Sequence, residues 1–317
     1  MINWQGNHRY LINLNILILI IAISLIIILT SCQSRPTNPV ENRINVVATN
    51  SLIADIVSQI GGEKISLEVL LPLGTDPHTF SPKPQDALKI SNANIIFANG
   101  VGLEEFLQPL IENIGGSNKL VEISTGINLR TMADQESSNN SLVNDPHTWM
   151  DPNNVIVWVD NIVNALSEQD PENSEFYVEN GQSYKLKLKD LDTWIGAEVS
   201  KLPEKDRKLI TDHMVFGYFA DRYGFTQVGA IIPGFSSLTE PSAQDIVQIE
   251  DSIRSMAVKA LFINAGANQS IAQRISEDTG TQLVSLYMHS LTDKSGQAGN
   301  YIDFMRFNVT SIINALK

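Results

Sequence analysis

The sequence is poor in cysteine and in basic residues. Its single cysteine, Cys32, cannot form a disulfide within the chain. Lysine and arginine together number 22 against 35 acidic residues, which gives a net charge of −13. We therefore expect no nucleic-acid partner, because phosphate contacts depend on Lys and Arg. The acidic surface favours cations only in a general way, and it serves solubility equally well.

The N-terminal segment contains no acidic residue before Glu41 and carries an almost wholly apolar run over residues 11–29. Arg9 precedes that run, and this polarity is typical of a secretory signal. The run is also about as long as a membrane-spanning helix. A retained N-terminal anchor is therefore the alternative interpretation.

Residues 29–32 read Leu-Thr-Ser-Cys and resemble the lipobox of bacterial lipoproteins. That resemblance implies that a signal peptidase cuts before Cys32 and that the cysteine is then lipidated. We predict a lipoprotein signal peptide at residues 1–31 and a lipid-anchored tether, rich in Ser, Pro and Asn, at residues 32–43. The protein would then lie at the outer face of the cytoplasmic membrane, in a periplasmic or other extracytoplasmic space.

After the tether, short apolar runs alternate with helical patterns over residues 44–173. Strand–helix–strand units of this kind favour a parallel sheet with helices on both faces, and so an α/β fold. The strands predicted for this first lobe are Ile44–Thr49, Ile65–Leu71, Asn94–Asn99 and Leu120–Ile123. Helices are predicted at Leu52–Ile60, Lys83–Asn92, Leu103–Ile114 and Val155–Ser167, and a polar loop at Asp134–Asn144.

Residues 174–202 contain no proline and repeat their apolar residues at helical spacing, which predicts a long linking helix. The alternation of strands and helices then restarts over residues 203–317. The strands predicted for this second lobe are Lys208–Thr211, Val228–Ile232, Ala260–Ile263 and Gln282–Leu286, followed by a last helix at Tyr301–Leu316. The economical interpretation is two α/β lobes, each with a parallel-type sheet and flanking helices, bridged by one long rigid helix.

The histidines after the signal segment occupy similar places in this pattern. The sequence Asp-Pro-His-Thr occurs at residues 76–79 and again at residues 145–148, so two imidazoles follow a proline that restricts the local backbone. His213 and His289 each follow a predicted strand of the second lobe. Because ligands bind beyond the carboxyl ends of strands in open parallel sheets, we expect all four imidazoles in the cleft between the lobes.

Any one of these histidines could be an ordinary hydrogen-bonded loop residue. Four of them at equivalent strand ends instead indicate a metal site, and neutral imidazoles without thiolates suit a borderline divalent ion, above all zinc. The predicted ligands are His78, His147, His213 and His289. Asp76, Asp145 and Asp212 precede three of them closely and are candidates to orient the rings, although turn formation or capping explains an Asp there equally well.

Longer motifs resemble those of the solute-binding lipoproteins of zinc and manganese ABC importers, over essentially the whole mature sequence. They are the stretch 70–80 (Leu-Leu-Pro-Leu-Gly-Thr-Asp-Pro-His-Thr-Phe), the stretch 145–152 (Asp-Pro-His-Thr-Trp-Met-Asp-Pro), Thr211-Asp212-His213 with Phe216, Tyr218 and Phe219, and the loop 234–242 that ends in Glu-Pro-Ser. The resemblance implies two α/β lobes with the metal between them, and delivery of that metal to a membrane permease.

The resemblance also implies an order of ligands, with His78 first, His147 second and His213 third. A histidine in third place is usual in zinc-type members, where manganese-type members carry Glu. The fourth ligand of the family is usually an Asp, but this chain has His289 there, and Asp293 is the second choice. An all-nitrogen site lacks the anionic oxygen that manganese prefers. Zinc is therefore the predicted cargo and manganese the alternative.

A zinc hydrolase is the main alternative from another class of protein. Catalysis needs an open coordination position and usually a general base, yet the sequence has no His-Glu-x-x-His and no Glu beside a candidate ligand. An adhesin or structural lipoprotein would not need paired lobes. We therefore expect a monomeric carrier and not an enzyme, with a divalent cation, an ABC permease and the membrane as its partners.

Overall fold

The structure is a computed structural model of the 317-residue chain, and it describes residues 43–114, 119–133 and 142–317. The predicted signal peptide, the predicted lipidation site Cys32 and the tether up to residue 42 lie outside the described residues. Within the described ranges, no helix combines the length and the apolar character needed to cross a membrane.

A four-stranded parallel sheet forms the centre of the first lobe. Its strands are β1 (Ile44–Ala48), β2 (Ile65–Val69), β3 (Ile95–Ala98) and β4 (Leu120–Glu122), in the spatial order β2-β1-β3-β4. Its helices are α1 (Ser51–Gly61), α2 (Pro84–Asn92), α3 (Leu107–Ile114) and α4 (Pro152–Gln169). All four residues of β3 are buried, as a continuous apolar run requires when helices cover both faces of a sheet.

Two predictions for the first lobe are wrong in detail. Helix α3 begins at Leu107 and not at Leu103, because the Glu104 carboxylate accepts the backbone N–H groups of Asn99 and Gly100 and so folds this segment into turns. The last three residues of the predicted loop Asp134–Asn144 form a strand, because β6 (Leu142–Asn144) pairs antiparallel with β5 (Thr131–Ala133). Strands of three residues are too short to show a periodic pattern.

A long helix, α5 (Ser174–Val199), joins the two lobes through a shared core. It packs on α4 and α1 of the first lobe and on the last helix of the chain. Gly181 allows the close approach to α4, since a Cβ there would lie 2.5 Å from Cγ2 of Val163. The buried face of α5 consists of Tyr177, Gly181, Tyr184, Leu188, Leu191, Ile195 and Val199.

The second lobe repeats the plan of the first. Its strands are β7 (Lys208–Thr211), β8 (Thr226–Ala230), β9 (Ala260–Asn264) and β10 (Gln282–Leu286), all parallel and in the order β10-β9-β7-β8. Its helices are α6 (Gly217–Tyr223), α7 (Ala243–Met256), α8 (Ser270–Thr279) and α9 (Tyr301–Leu316). The predicted α/β fold, with two parallel sheets and a long connecting helix, is confirmed.

Candidate metal centre

Four histidine side chains meet between the two lobes. The Nε2 atom of His147 lies 3.3 Å from the Nε2 atoms of both His78 and His213. The Nε2 atom of His289 lies 3.1 Å from that of His213, and one ring nitrogen from each of the four lies within 4.8 Å of the others. A tetrahedral ion with bonds of about 2.0–2.1 Å holds its ligand atoms about 3.3–3.4 Å apart. The short spacings therefore suit direct contact with one ion.

The four histidines come from places where strands end. His78 lies in the loop after β2, and His147 lies between β6 and a 3-10 turn at Thr148–Met150. His213 follows β7 and His289 follows β10, the two strands on either side of β9. Each lobe thus supplies two imidazoles. His78, His213 and His289 follow strands of the parallel sheets, beyond whose carboxyl ends ligands bind, whereas His147 follows a strand of the antiparallel pair β5–β6.

Aspartates hold two of these rings. The Nδ1 atom of His147 lies 2.8 Å from Oδ1 of Asp145, and the Nδ1 atom of His213 lies 2.8 Å from Oδ1 of Asp212. An Nδ1–H that donates to a carboxylate leaves the free lone pair on Nε2, the atom that faces the other rings. Both acids therefore lie where the hypothesis of ring orientation expects them.

Asp76 does not hold the ring of His78 in this way. Its Oδ1 accepts the backbone N–H of His78 at 2.9 Å, and its Oδ2 accepts the hydroxyl of Ser237 at 2.6 Å. The same Oδ2 lies 3.8 Å from Nδ1 of His289. The hypothesis that Asp76 orients the ring two residues further on is wrong, because its carboxylate is turned toward the second lobe.

Three of the four imidazoles are neutral at neutral pH. Burial is the main cause, and it lowers the pKa of His78 to about 3, lowers the pKa of His289 to about 4 and holds that of His147 well below its usual value. His213 differs, because burial lowers its pKa but the carboxylates of Asp212, Asp76 and Asp145 together outweigh burial, and the net shift is upward. A metal ion therefore finds most of the nitrogens already deprotonated.

The pKa values of the acids around the rings are shifted in opposite directions. Burial raises the pKa of Asp145 to about 7, although the N–H of His147 and the charge of Arg130 oppose the shift. Burial also acts to raise the pKa values of Asp76 and Asp212, but nearby histidines and hydrogen bonds outweigh it, and both values are lowered. At neutral pH, Asp76 and Asp212 are therefore the acids beside the site that are fully ionised.

The sequence analysis missed Arg130, which forms an ion pair with Asp145, the acid that holds the His147 ring. Its Nε lies 3.5 Å from Oδ2 of Asp145, its Nη1 donates to the Gly217 carbonyl at 2.7 Å, and it pairs with Asp221. Gly217 and Asp221 belong to α6 of the second lobe. The guanidinium therefore joins the lobes close to the site, and an isolated Arg outside any motif gives no signal for that role.

Trp149 and Asn264 fix the backbone before His289, and the sequence assigned neither a role. The Nε1–H of Trp149 donates to the Met288 carbonyl at 2.9 Å. The Oδ1 of Asn264 accepts the backbone N–H of Met288 at 3.2 Å, and the backbone N–H of Asn264 donates to Oδ2 of Asp212 at 2.9 Å. Trp149 directly follows the second Asp-Pro-His-Thr motif and belongs to the stretch 145–152, which is the signal that could have pointed to it.

Asp293, the second choice for the fourth ligand, lies on the surface. Its Oδ1 accepts the backbone N–H and the hydroxyl of Ser295, at 2.9 and 2.6 Å. It is not one of the four side chains that the structure brings together. A loop shift would be needed to bring its carboxylate to the rings.

A crevice of about 650 Å³ is lined by His78 and Pro146 of the first lobe. Phe235 and Leu238 line its other wall, from the second lobe. His78 is partly exposed, whereas the other three histidines are buried. The site is therefore open to solvent on the side of His78.

Known proteins resemble the chain over nearly its whole length. The sequence model of a family described as zinc-uptake complex component A, periplasmic (ZnuA), matches residues 46–315. The manganese-binding lipoprotein MntA of Halalkalibacterium halodurans is 30% identical over 293 residues, which cover 92% of this chain and 95% of the relative. The manganese ABC transporter substrate-binding lipoprotein PsaA of Streptococcus pneumoniae is 30% identical over 306 residues, which cover 94% of this chain and 97% of the relative.

Solved structures give the same result. The periplasmic zinc-binding protein TroA of Treponema pallidum superposes with a TM-score of 0.77 at 26% identity, over 86% of this chain and 99% of TroA. The manganese-bound periplasmic metal-binding protein of Candidatus Liberibacter asiaticus superposes with a TM-score of 0.76 at 26% identity, over 87% of this chain and 100% of that protein. The resemblance seen in the sequence is thereby confirmed: the chain belongs to the ZnuA family, with the substrate-binding lipoproteins of metal ABC transporters.

Proposed function

We propose that the chain is the extracytoplasmic substrate-binding component of a metal ABC importer. It captures a divalent cation between its lobes and delivers the ion to a membrane permease. The convergence of four Nε2 atoms carries this proposal. Because each lobe supplies two of them, one bound ion would hold the two lobes together. Lipidation of Cys32 would keep the protein, as a monomer, at the outer face of the cytoplasmic membrane.

Zinc is the cargo that the donor atoms favour. The four converging donors are imidazole nitrogens, and no carboxylate stands in the group. Manganese prefers carboxylate, carbonyl and water oxygens, whereas imidazole suits zinc well. Manganese remains the alternative, and the names of MntA and PsaA support it.

Competition between zinc and manganese tests the cargo. Zinc binds more tightly than manganese at almost any site with nitrogen and oxygen donors. A preference of the wild-type protein for zinc is therefore, by itself, weak evidence that zinc is the cargo. The sharper comparison is with His289→Asp, which replaces one nitrogen by an anionic oxygen. We expect the ratio of zinc to manganese affinity at neutral pH to fall in this variant. Manganese preference in the wild type, or an unchanged ratio in His289→Asp, would contradict the assignment of zinc.

A carrier and a hydrolase differ in what the metal can do. Four protein nitrogens fill the four positions of a tetrahedral zinc ion, so no position is left for a catalytic water. We therefore expect the zinc-loaded protein to leave ester and peptide substrates intact. Zinc-dependent turnover of either substrate class would favour the hydrolase.

A further inference from the structure

The Nδ1 atom of His289 lacks the carboxylate partner that the Nδ1 atoms of His147 and His213 have. His147 and His213 each place Nδ1 2.8 Å from a carboxylate of their own chain segment. The Nδ1 atom of His289 is buried and has no hydrogen-bond partner among the described residues. The oxygen that faces it is Oδ2 of Asp76, at 3.8 Å.

Asp76 reaches His289 across the cleft. Its loop belongs to the first lobe, where Oδ1 accepts the backbone N–H of His78 at 2.9 Å. Its other oxygen accepts the hydroxyl of Ser237, a residue of the second lobe, at 2.6 Å. One carboxylate therefore contacts the backbone of the first predicted ligand and faces the ring of the fourth.

We propose that Asp76 is a positioning residue that orients the His289 ring from the opposite lobe when the metal ion binds. This inference rests on the proposed function. An ion on Nε2 requires the ring proton on Nδ1, and a buried N–H needs an acceptor. An approach of about 1 Å brings Nδ1 and Oδ2 of Asp76 within hydrogen-bond distance.

The arrangement couples metal binding to the contact between the lobes. The carboxylates that hold His147 and His213 lie two residues and one residue before those histidines in the chain, so their hydrogen bonds form whether or not the lobes approach. The pair formed by Asp76 and His289 forms only when the two lobes are together. Loss of this pair would therefore weaken the closed, metal-bound state more than the metal-free state.

A double-mutant cycle separates this role from a purely local one, in which Asp76 only caps its own turn. The variants are Asp76→Asn, His289→Ala and the double variant, with zinc affinity measured by competition with a chromophoric chelator. Loss of a group that orients a ligand typically costs 10–100-fold in metal affinity. We expect a loss of about that size for Asp76→Asn in the wild type and less than about twofold when His289 is already Ala.

Asp190→Asn is the matched control, because Asp190 is exposed on α5 and the variant loses the same charge. We expect it to bind zinc like the wild type. A second measurement follows the ring proton itself by NMR of zinc-bound protein with labelled histidine. Asp76→Asn should shift the Nδ1–H signal of His289 and leave those of His147 and His213 in place.

Equal weakening by Asp76→Asn in both backgrounds would overturn the inference, since a cap on the turn does not depend on His289. Wild-type affinity in Asp76→Asn would also overturn it while leaving the proposed function intact. Failure of the wild type to bind either zinc or manganese would instead remove the proposed function, and this inference with it.

Discussion

The two Asp-Pro-His-Thr segments have the same sequence and the same local turn, but different surroundings. In each, Oδ1 of the Asp accepts the backbone N–H of the His two residues later, at 2.9 Å in residues 76–79 and at 3.0 Å in residues 145–148. This is the turn that Asp commonly forms with its own backbone. Asp145, His147 and Thr148 are completely buried, whereas His78 is partly exposed and Thr79 is exposed.

Contacts from elsewhere in the chain create the difference. Around the second segment, the side chain of Asn99 donates to the Pro146 carbonyl at 2.9 Å, and the hydroxyl of Thr148 lies 2.9 Å from that of Ser124. Asp145 also holds the His147 ring. The identical tetrapeptide therefore determines how a histidine is presented, and the tertiary contacts determine how firmly the ring is held.

The largest expected effect comes from removing one histidine of each segment. His147→Ala and His78→Ala should both weaken zinc binding by more than the roughly 10–100-fold that loss of an orienting partner costs. The two variants should differ in their free energy of unfolding when no metal is bound. His147→Ala leaves the buried Asp145 carboxylate short of a donor, which costs about 1–3 kcal/mol of unfolding free energy. His78→Ala, at a partly exposed loop position, should cost within about 0.5 kcal/mol.

Urea unfolding in the presence of a chelator measures this difference, and zinc titration of the same samples measures the affinity. An equal loss of stability in the two variants would show that the surroundings of the two segments do not matter energetically. Wild-type zinc affinity in either variant would remove that histidine from the proposed ligands.

Much of this site could be predicted because its signals are local. The residues after a short apolar strand lie at the carboxyl edge of the sheet, which placed His213 and His289 correctly beyond β7 and β10. The turn formed by Asp76 or Asp145 with the next histidine is likewise encoded within three residues. The two lobes followed from the alternation of strands and helices and from the long stretch without proline.

The remaining features depend on residues far apart in the sequence. Asp76 faces His289 only after the lobes have packed, and the same holds for the contact of Arg130 with α6. No local sequence pattern predicts either contact. The hypothesis for Asp76 failed for this reason, since spacing along the chain cannot say which of two nearby rings a carboxylate meets. The start of α3 failed similarly, because Glu104 folds back onto the backbone N–H groups of Asn99 and Gly100.

Proton release on metal binding is expected to distinguish the two segments next. At pH 6 the first segment has nothing to release, since the pKa of His78 is about 3 and that of Asp76 is lowered. The second segment holds one proton, because burial raises the pKa of Asp145 to about 7. His213, whose pKa is raised, holds another. A bound divalent ion expels both, so about two protons should be released per ion.

The sign of the pH dependence follows from this release. Zinc affinity should fall as pH decreases below 7, by up to about a hundredfold per pH unit near pH 6. Calorimetry in buffers with different ionisation enthalpies counts the protons directly. Asp145→Asn should reduce the count by about one, and Asp190→Asn should leave it unchanged. Release of four protons at pH 6 would mean that all four rings start protonated, and the distinction between the segments would be lost.

The smallest effect is expected at the last residue of each segment, where Thr→Val removes a hydroxyl and keeps the shape. The hydroxyl of Thr148 also donates to Oδ1 of Asn99 at 3.2 Å, in a buried network. Thr148→Val should therefore cost about 1–2 kcal/mol in unfolding free energy. Thr79 is exposed, and its hydroxyl donates to the Asp76 carbonyl of its own turn at 3.3 Å, so Thr79→Val should stay within about 0.5 kcal/mol of the wild type. Urea unfolding without metal gives both values, and an equal cost at the two positions would show that the buried network adds nothing to the stability of the second segment.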